Sequence, residues 1–161
     1  MTRTLLVAGV IGAAMVAGHA TSGAQPATPW RSSPASGAQR PRSVWDGVYS
    51  AEQAKRGEAV YLESCSVCHA ADLRGIDESP PLVGGRFTSN WNGTTLADLF
   101  ERLRVSMPLS APGTLSRQQN ADVLAYLLAA NQFPAGKSAL PRQTEILNQI
   151  VFEATKPRGG R

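Results

Sequence analysis

Five residues, Cys65-Ser66-Val67-Cys68-His69, constrain this chain of 161 residues more than any other feature, and they hold both of its cysteines. Thiols three positions apart share one side of a helical turn, and His69, at i+4 from Cys65, projects from that same side. Each thiol can add across one vinyl group of a porphyrin, and the adjacent imidazole is presented to the iron. C-x-x-C-H is the attachment signature of haem c. Rival chemistries lack parts. A thioredoxin-like dithiol needs a βαβ context, and no alternating strand pattern occurs in the body. A structural zinc site needs four good ligands, and downstream of residue 24 only Cys65, Cys68 and His69 are cysteines or histidines. A plain disulfide would leave the hydrophobic core undersupplied.

That core is thin. Three helical patterns run through the body. The first spans 51–63 behind Ser50 and Gln53, a capping-box pair, with Ala54, Gly57, Val60 and Tyr61 on one side. The second spans 95–104 and sets Leu96, Leu99, Phe100 and Leu103 at i, i+3, i+4 and i+7. Ser116 and Gln119 form another box, opening a helix to about residue 130 with Val123, Leu124, Leu127 and Leu128 as its stripe. Long loops lie between them, notably 70–94. Three short helices and so much loop cannot close a core alone; a prosthetic group in the middle would.

The ends read differently. Residues 1–24 form an expected signal peptide: Arg3, an apolar stretch over 5–17, then a small-residue cleavage point at Ser22-Gly23-Ala24. An uncleaved anchor is the alternative. Residues 25–43 are rich in Pro, Ser, Ala and Gly and read as a flexible linker. Residues 26–42 carry a net +3, 43–133 a net −3 and 134–161 a net +3, so the pI near 9.5 belongs to the tails. A basic pI of this origin is no argument for nucleic acid. Its sources are solubilising tails or docking to an acidic partner or membrane surface. In the C-terminal extension, 134–161, an apolar stripe of Ile146, Leu147, Ile150 and Val151 is expected to form a short helix. It either packs back on the body or binds a partner.

Once the leader is removed, taking His19 with it, a second protein histidine is not available to the iron, and Met107 is the one remaining methionine. It precedes Pro108, and a residue before proline is pushed out of the helical region. Met107 should therefore be extended at the end of the second helix, as suits a ligand projecting inward. The alternative is a gap-filling core methionine. His/Met ligation raises the reduction potential and closes both faces of the iron.

Taken together, Cys65–His69, Met107-Pro108 and Asp122-Val123-Leu124-Ala125-Tyr126-Leu127 resemble a class I cytochrome c over residues 44–133. The resemblance implies an all-α fold, three to four short helices wrapped around one covalent haem, with a flexible N-terminal tail and a C-terminal extension. It implies that the first and last helices cross, with Gly57 and Tyr61 meeting Val123 and Tyr126. Pro80-x-Leu82-x-Gly84 is similar to the family's loop on the histidine side, where the proline carbonyl accepts the imidazole N–H; here the pair would be Pro80 and His69. A plain loop breaker is the alternative for Pro80-Pro81. Arg86, Trp91 and Asn92 lie where the loop should wrap the haem edge, and their donors could hold the propionates; Trp91 could equally be structural. Trp45-Asp46-Gly47-Val48-Tyr49 and the segment 91–107 further resemble small cytochromes found beside periplasmic quinoprotein dehydrogenases. Lys55 is the single lysine of 43–133, so docking through a lysine ring is not expected.

The resulting expectation is a periplasmic monohaem electron carrier, not an enzyme, with one haem c. It would pass electrons from a dehydrogenase or bc-type complex to an acceptor such as a terminal oxidase. No nucleic acid is involved, and membrane contact would come only through partners or an uncleaved N-terminus. Two alternatives stay open. One is a dedicated subunit of a dehydrogenase or oxidase complex held through the C-terminal extension. The other is an open-site haem peroxidase or sensor, for which the sequence supplies no distal His or Arg.

Overall fold

The computed structural model describes residues 40–158. The expected leader, the expected linker up to residue 39 and the last three residues lie outside the described residues. Six α-helices occur in order: α1 (Ala51–Ser64), α2 (Ser66–His69), α3 (Gly84–Trp91), α4 (Leu96–Ser106), α5 (Arg117–Ala130) and α6 (Thr144–Leu147). A 3-10 turn at Val44–Asp46 and two short strands, β1 (Arg42–Ser43) and β2 (Ile150–Val151), complete the described elements. The fold is mostly helical, with more helices than the three to four expected. The additions are single turns and α3, which occupies part of the expected 70–94 loop.

Local chemistry explains where the long helices start. The Thr95 side chain accepts from the Asp98 N–H and the Asp98 carboxylate returns to the Thr95 N–H, closing a box at the head of α4. Ser116 and Gln119 close the expected box on α5. The box expected on α1 is only half made. Ser50 accepts from the Gln53 N–H at 3.2 Å, but the fully buried Gln53 amide turns away from it. Its Nε2 donates to Leu140 O at 3.1 Å and its Oε1 accepts from the Leu140 N–H. The competing demand wins because two buried main-chain groups would otherwise lack partners. Replacing Gln53 by Leu should therefore cost about 2 kcal/mol or more. The expected signature is a lower urea midpoint at unchanged slope.

Helices α1 and α5 meet backbone to backbone. A Cβ placed on Gly57 would stand 1.8 Å from Asp122 O, so only glycine permits the approach. Beside it, Arg56 grips the Asp122 carboxylate with Nε at 3.1 Å and Nη2 at 3.2 Å. Further along, the Tyr61 and Tyr126 rings lie 5.3 Å apart. This is the pairing of Gly57 and Tyr61 with Val123 and Tyr126 that the resemblance implied.

The C-terminal segment is part of the core. Leu140, Leu147, Ile150 and Phe152 are buried, each worth roughly 1.5–3 kcal/mol relative to exposure. Phe152 joins an edge-to-face aromatic group with Phe87 and Phe133, and Phe133 in turn meets Trp45 at 4.9 Å. The expected helical stripe is cut short. α6 ends at Leu147 and the chain straightens into β2, which pairs in parallel with β1 in the register Arg42↔Ile150 and Ser43↔Val151. Leu147 and Ile150 are fully buried, Val151 is half-buried and Ile146 faces solvent.

This pairing also moves the expected start of the body. Ser43, assigned to the linker, is buried and caps the 3-10 turn. Arg40 forms an ion pair with Asp46 and holds that carboxyl below its usual range. Trp45 Nε1 donates to Glu153 O at 2.9 Å. Residues 40–43 thus belong with the folded body. Among the described residues no helix is long and apolar enough to cross a membrane.

Candidate functional site

The Cys–His motif lies at the outlet of α1. Cys65 terminates that helix, and α2 then carries Ser66, Val67, Cys68 and His69 through one turn. The Cys68 and His69 N–H groups both donate to Cys65 O, at 3.2 and 3.0 Å, which holds the three side chains in their helical relation. Neither cysteine is in a disulfide. Burial pushes the Cys65 thiol up to about 11, so it is a neutral thiol at physiological pH rather than a redox-poised thiolate.

The loop after the motif, residues 70–82, aims the imidazole. Ala70 has φ +61° and ψ 158°, a conformation that costs an L residue of order 1–3 kcal/mol. The Tyr61 hydroxyl helps hold it there by donating to Ala70 O at 2.6 Å, and it lies 3.2 Å from His69 O. The chain then turns back: Gly75 N–H donates to His69 O and Ile76 N–H to Cys68 O, both at 3.0 Å. Gly75, at φ +81°, lies so close to Ser79 that a Cβ would sit 2.1 Å from Ser79 O. This close packing brings the next residue, Pro80, to the histidine. His69 Nδ1 stands 3.0 Å from Pro80 O. A carbonyl oxygen only accepts, so Nδ1 carries a proton, and Nε2 is the ring nitrogen left to serve as a ligand. Such a bond fixes the ring orientation and raises ligand basicity.

The other expected residues occupy α3, α4 and the turns that end them. Met107 caps α4 in the extended conformation, φ −123° and ψ 152°, with its N–H donating to Leu103 O; the Met107–Pro108 bond is cis. Met107 is half-buried. Arg86 is exposed on α3 and, among the described residues, makes no hydrogen bond or ion pair; Trp91 is half-buried at the end of that helix. Asn92, grouped with them from sequence, uses its Oδ1 to accept from the Ala154 N–H at 2.8 Å, which ties it to the C-terminal segment. Among the described residues no hydrogen bond links Met107, Arg86 or Trp91 to the Cys–His turn. The half-buried apolar side chains Leu82, Val83, Trp91 and Leu103 pack on the core and are of the kind that covers a porphyrin face. These residues fit a covalent haem: two thiols in no disulfide, an imidazole whose outer nitrogen makes no hydrogen bond among the described residues, and a thioether.

Two supporting residues escaped the sequence reading. One is the Tyr61 hydroxyl. The other is Asn131, whose Nδ2 donates to Leu82 O at 2.9 Å and whose Oδ1 accepts from Gly84 N–H at 3.0 Å, pinning the chain just after Pro80. The signal was an Asn at the end of a helical stripe, a C-capping type whose distant partner no local pattern reveals.

A helical body whose first and last long helices meet, with Cys-x-x-Cys-His at the outlet of the first and an extended Met after a middle one, is the arrangement on which a class I c-type cytochrome domain holds one covalent haem c. In particular, residues 52–127, just under half of the chain, match the family model described as cytochrome c oxidase, cbb3-type, subunit III. Among curated proteins none matches the chain. A solved structure, that of the sulfane dehydrogenase SoxCD from Paracoccus pantotrophus, is similar with 20% identity and a TM-score of 0.45. The alignment covers 67% of this chain and 61% of that one.

Proposed function

We propose that the protein is an exported, periplasmic monohaem electron carrier, and that His69 and Met107 are the two axial ligands of its iron. The observation that carries this reading is the Nδ1–H bond of His69 to Pro80 O. It leaves Nε2 as the donor on a turn that also bears both anchoring thiols. Cys65 and Cys68 would hold the haem through thioethers, and Met107, extended beyond α4, would supply the sixth ligand. Arg86 and Trp91 would face the propionates. When bound, the group supplies a one-electron iron couple. The chain's own part is to keep both axial positions filled and to change shape little on electron exchange.

With both faces closed by protein there is no coordination position for a substrate, which favours a carrier over a peroxidase or sensor. The buried C-terminal segment favours a free carrier over a subunit held by that segment, because its apolar residues are already spent on this chain. The partners would be a donor such as a dehydrogenase or bc-type complex and an acceptor such as a terminal oxidase, met through small, short-lived interfaces.

The test is direct. After export-competent expression, the denatured wild-type chain should retain its haem, and Cys65→Ser with Cys68→Ser should release all of it. Haem retained by the double variant would reject the attachment. A size-exclusion run of the native extract places the wild type with a partner or alone; co-elution with a dehydrogenase would reject the free carrier.

A further inference from the structure

We propose that residues 140–153 act as a strap that positions Met107, holding α4 in the register that presents the sulfur to the iron. This rests on the reading of Met107 as the distal ligand. α4 is fastened at two levels. At its head, the strap exchanges main-chain bonds with the preceding turn: Gly93 N–H to Phe152 O and Phe152 N–H to Thr94 O, each 2.8 Å. Val151 forms an antiparallel bridge to Thr95, the residue that caps the helix.

The second level is a polar knot around Glu101. Thr144 Oγ1 donates to Glu101 Oε1 at 2.8 Å and accepts from Arg117 Nη2 at 2.8 Å. Arg117 also donates through Nε to Arg142 O at 3.0 Å, and its guanidinium lies 5.0 Å above the Phe100 ring. Arg104 donates to Glu101 Oε2 through Nε at 2.8 Å and Nη2 at 2.6 Å. The Arg104 hydrogen bonds hold the Glu101 carboxyl below its usual range, so the knot stays charged at neutral pH. Strap, α4 and the head of α5 are thereby joined through side chains of one network.

The need for such a device lies in where α4 is buried. Its buried residues are Leu96, Ala97, Leu99 and Phe100, all in the first half. The last turn, which delivers Met107, has no fully buried residue: Leu103 is half-buried against the core and Val105 is 56% exposed. Met107 is attached to that turn by its N–H bond to Leu103 O. The place of the sulfur is therefore inherited from the clamped half of the helix, and two of the clamps come from the strap.

Carbon monoxide uptake by the reduced holoprotein at neutral pH reads how often the sulfur is away from the iron. Thr144→Val keeps the shape of the side chain and removes both hydroxyl bonds. It should raise the rate of uptake about five-fold or more, the factor equivalent to at least one of the two lost hydrogen bonds, and Thr144→Ser should restore the wild-type rate. Arg56→Gln, which breaks the α1–α5 ion pair, should lower the urea midpoint without speeding uptake. If Thr144→Val lowers the midpoint but takes up carbon monoxide at the wild-type rate, the strap is structural only and the proposal falls. Equal acceleration by Arg56→Gln would overturn it too, because any loss of stability would then open the iron. Met107→Ala sets the fully open limit; if it takes up carbon monoxide no faster than the wild type, the ligand reading itself fails.

Discussion

Gly57→Ala should destabilise the folded chain by about 3 kcal/mol, although alanine is the better helix former. Propensity alone favours Ala over Gly by about 1 kcal/mol within a helix. Against that, the new methyl would lie 1.8 Å from Asp122 O, 2.3 Å from Asp122 C and 2.9 Å from Val123 N. All three are main-chain atoms of a helix and cannot rotate aside. The helices must part, and overpacking of this kind costs typically 1–3 kcal/mol and occasionally more. Parting them also stretches the bidentate Arg56–Asp122 pair and the Tyr61–Tyr126 contact, which lie on the same seam. Urea unfolding of the variant beside Ala59→Gly, an exposed change on the same helix that should cost about 1 kcal/mol, separates packing from propensity. A Gly57→Ala chain as stable as the parent would mean that the backbones do not approach this closely in solution.

Met107→Ala should open the iron. The reduced variant is expected to bind carbon monoxide at neutral pH where the wild type does so slowly, and its reduction potential should fall by on the order of 0.1 V, a fraction of the span that axial ligands command. A thioether is a soft, neutral donor that favours the ferrous state, so its loss favours the ferric one. Redox titration with the haem still covalently attached measures the change. An unaltered midpoint would remove Met107 from the iron and return it to the ordinary role of a half-buried methionine at a helix end.

Much of the architecture could be read from the chain because its determinants are local. Leu96, Leu99, Phe100 and Leu103 announce α4 by spacing, Ser116 and Gln119 announce the head of α5, and proline after Met107 announces the extended residue that the structure contains. The Pro80–His69 bond was implied by family resemblance, and the structure has the two atoms at hydrogen-bond distance. What escaped was either masked locally or decided far away. α3 begins with two glycines behind Val83, which offers no side-chain cap, so nothing marks its start. Gln53 looks like half of a capping box until a residue 87 positions away claims its amide. The C-terminal stripe has helical spacing, but its partners are the turn before α4 and the strand at the other end of the body, and main-chain pairing overrides periodicity there.

The parallel register of β1 with β2 makes the start of the described body depend on its C-terminal segment. Arg42 lies beside Ile150 and Ser43 beside Val151, and Trp45 adds its bond to Glu153 O, so a segment at the start of the described body leans on one more than a hundred positions later. Truncating the chain before Ile150 would strip β1 of its partner and Trp45 of its acceptor, so the two segments should be gained or lost together as the body folds.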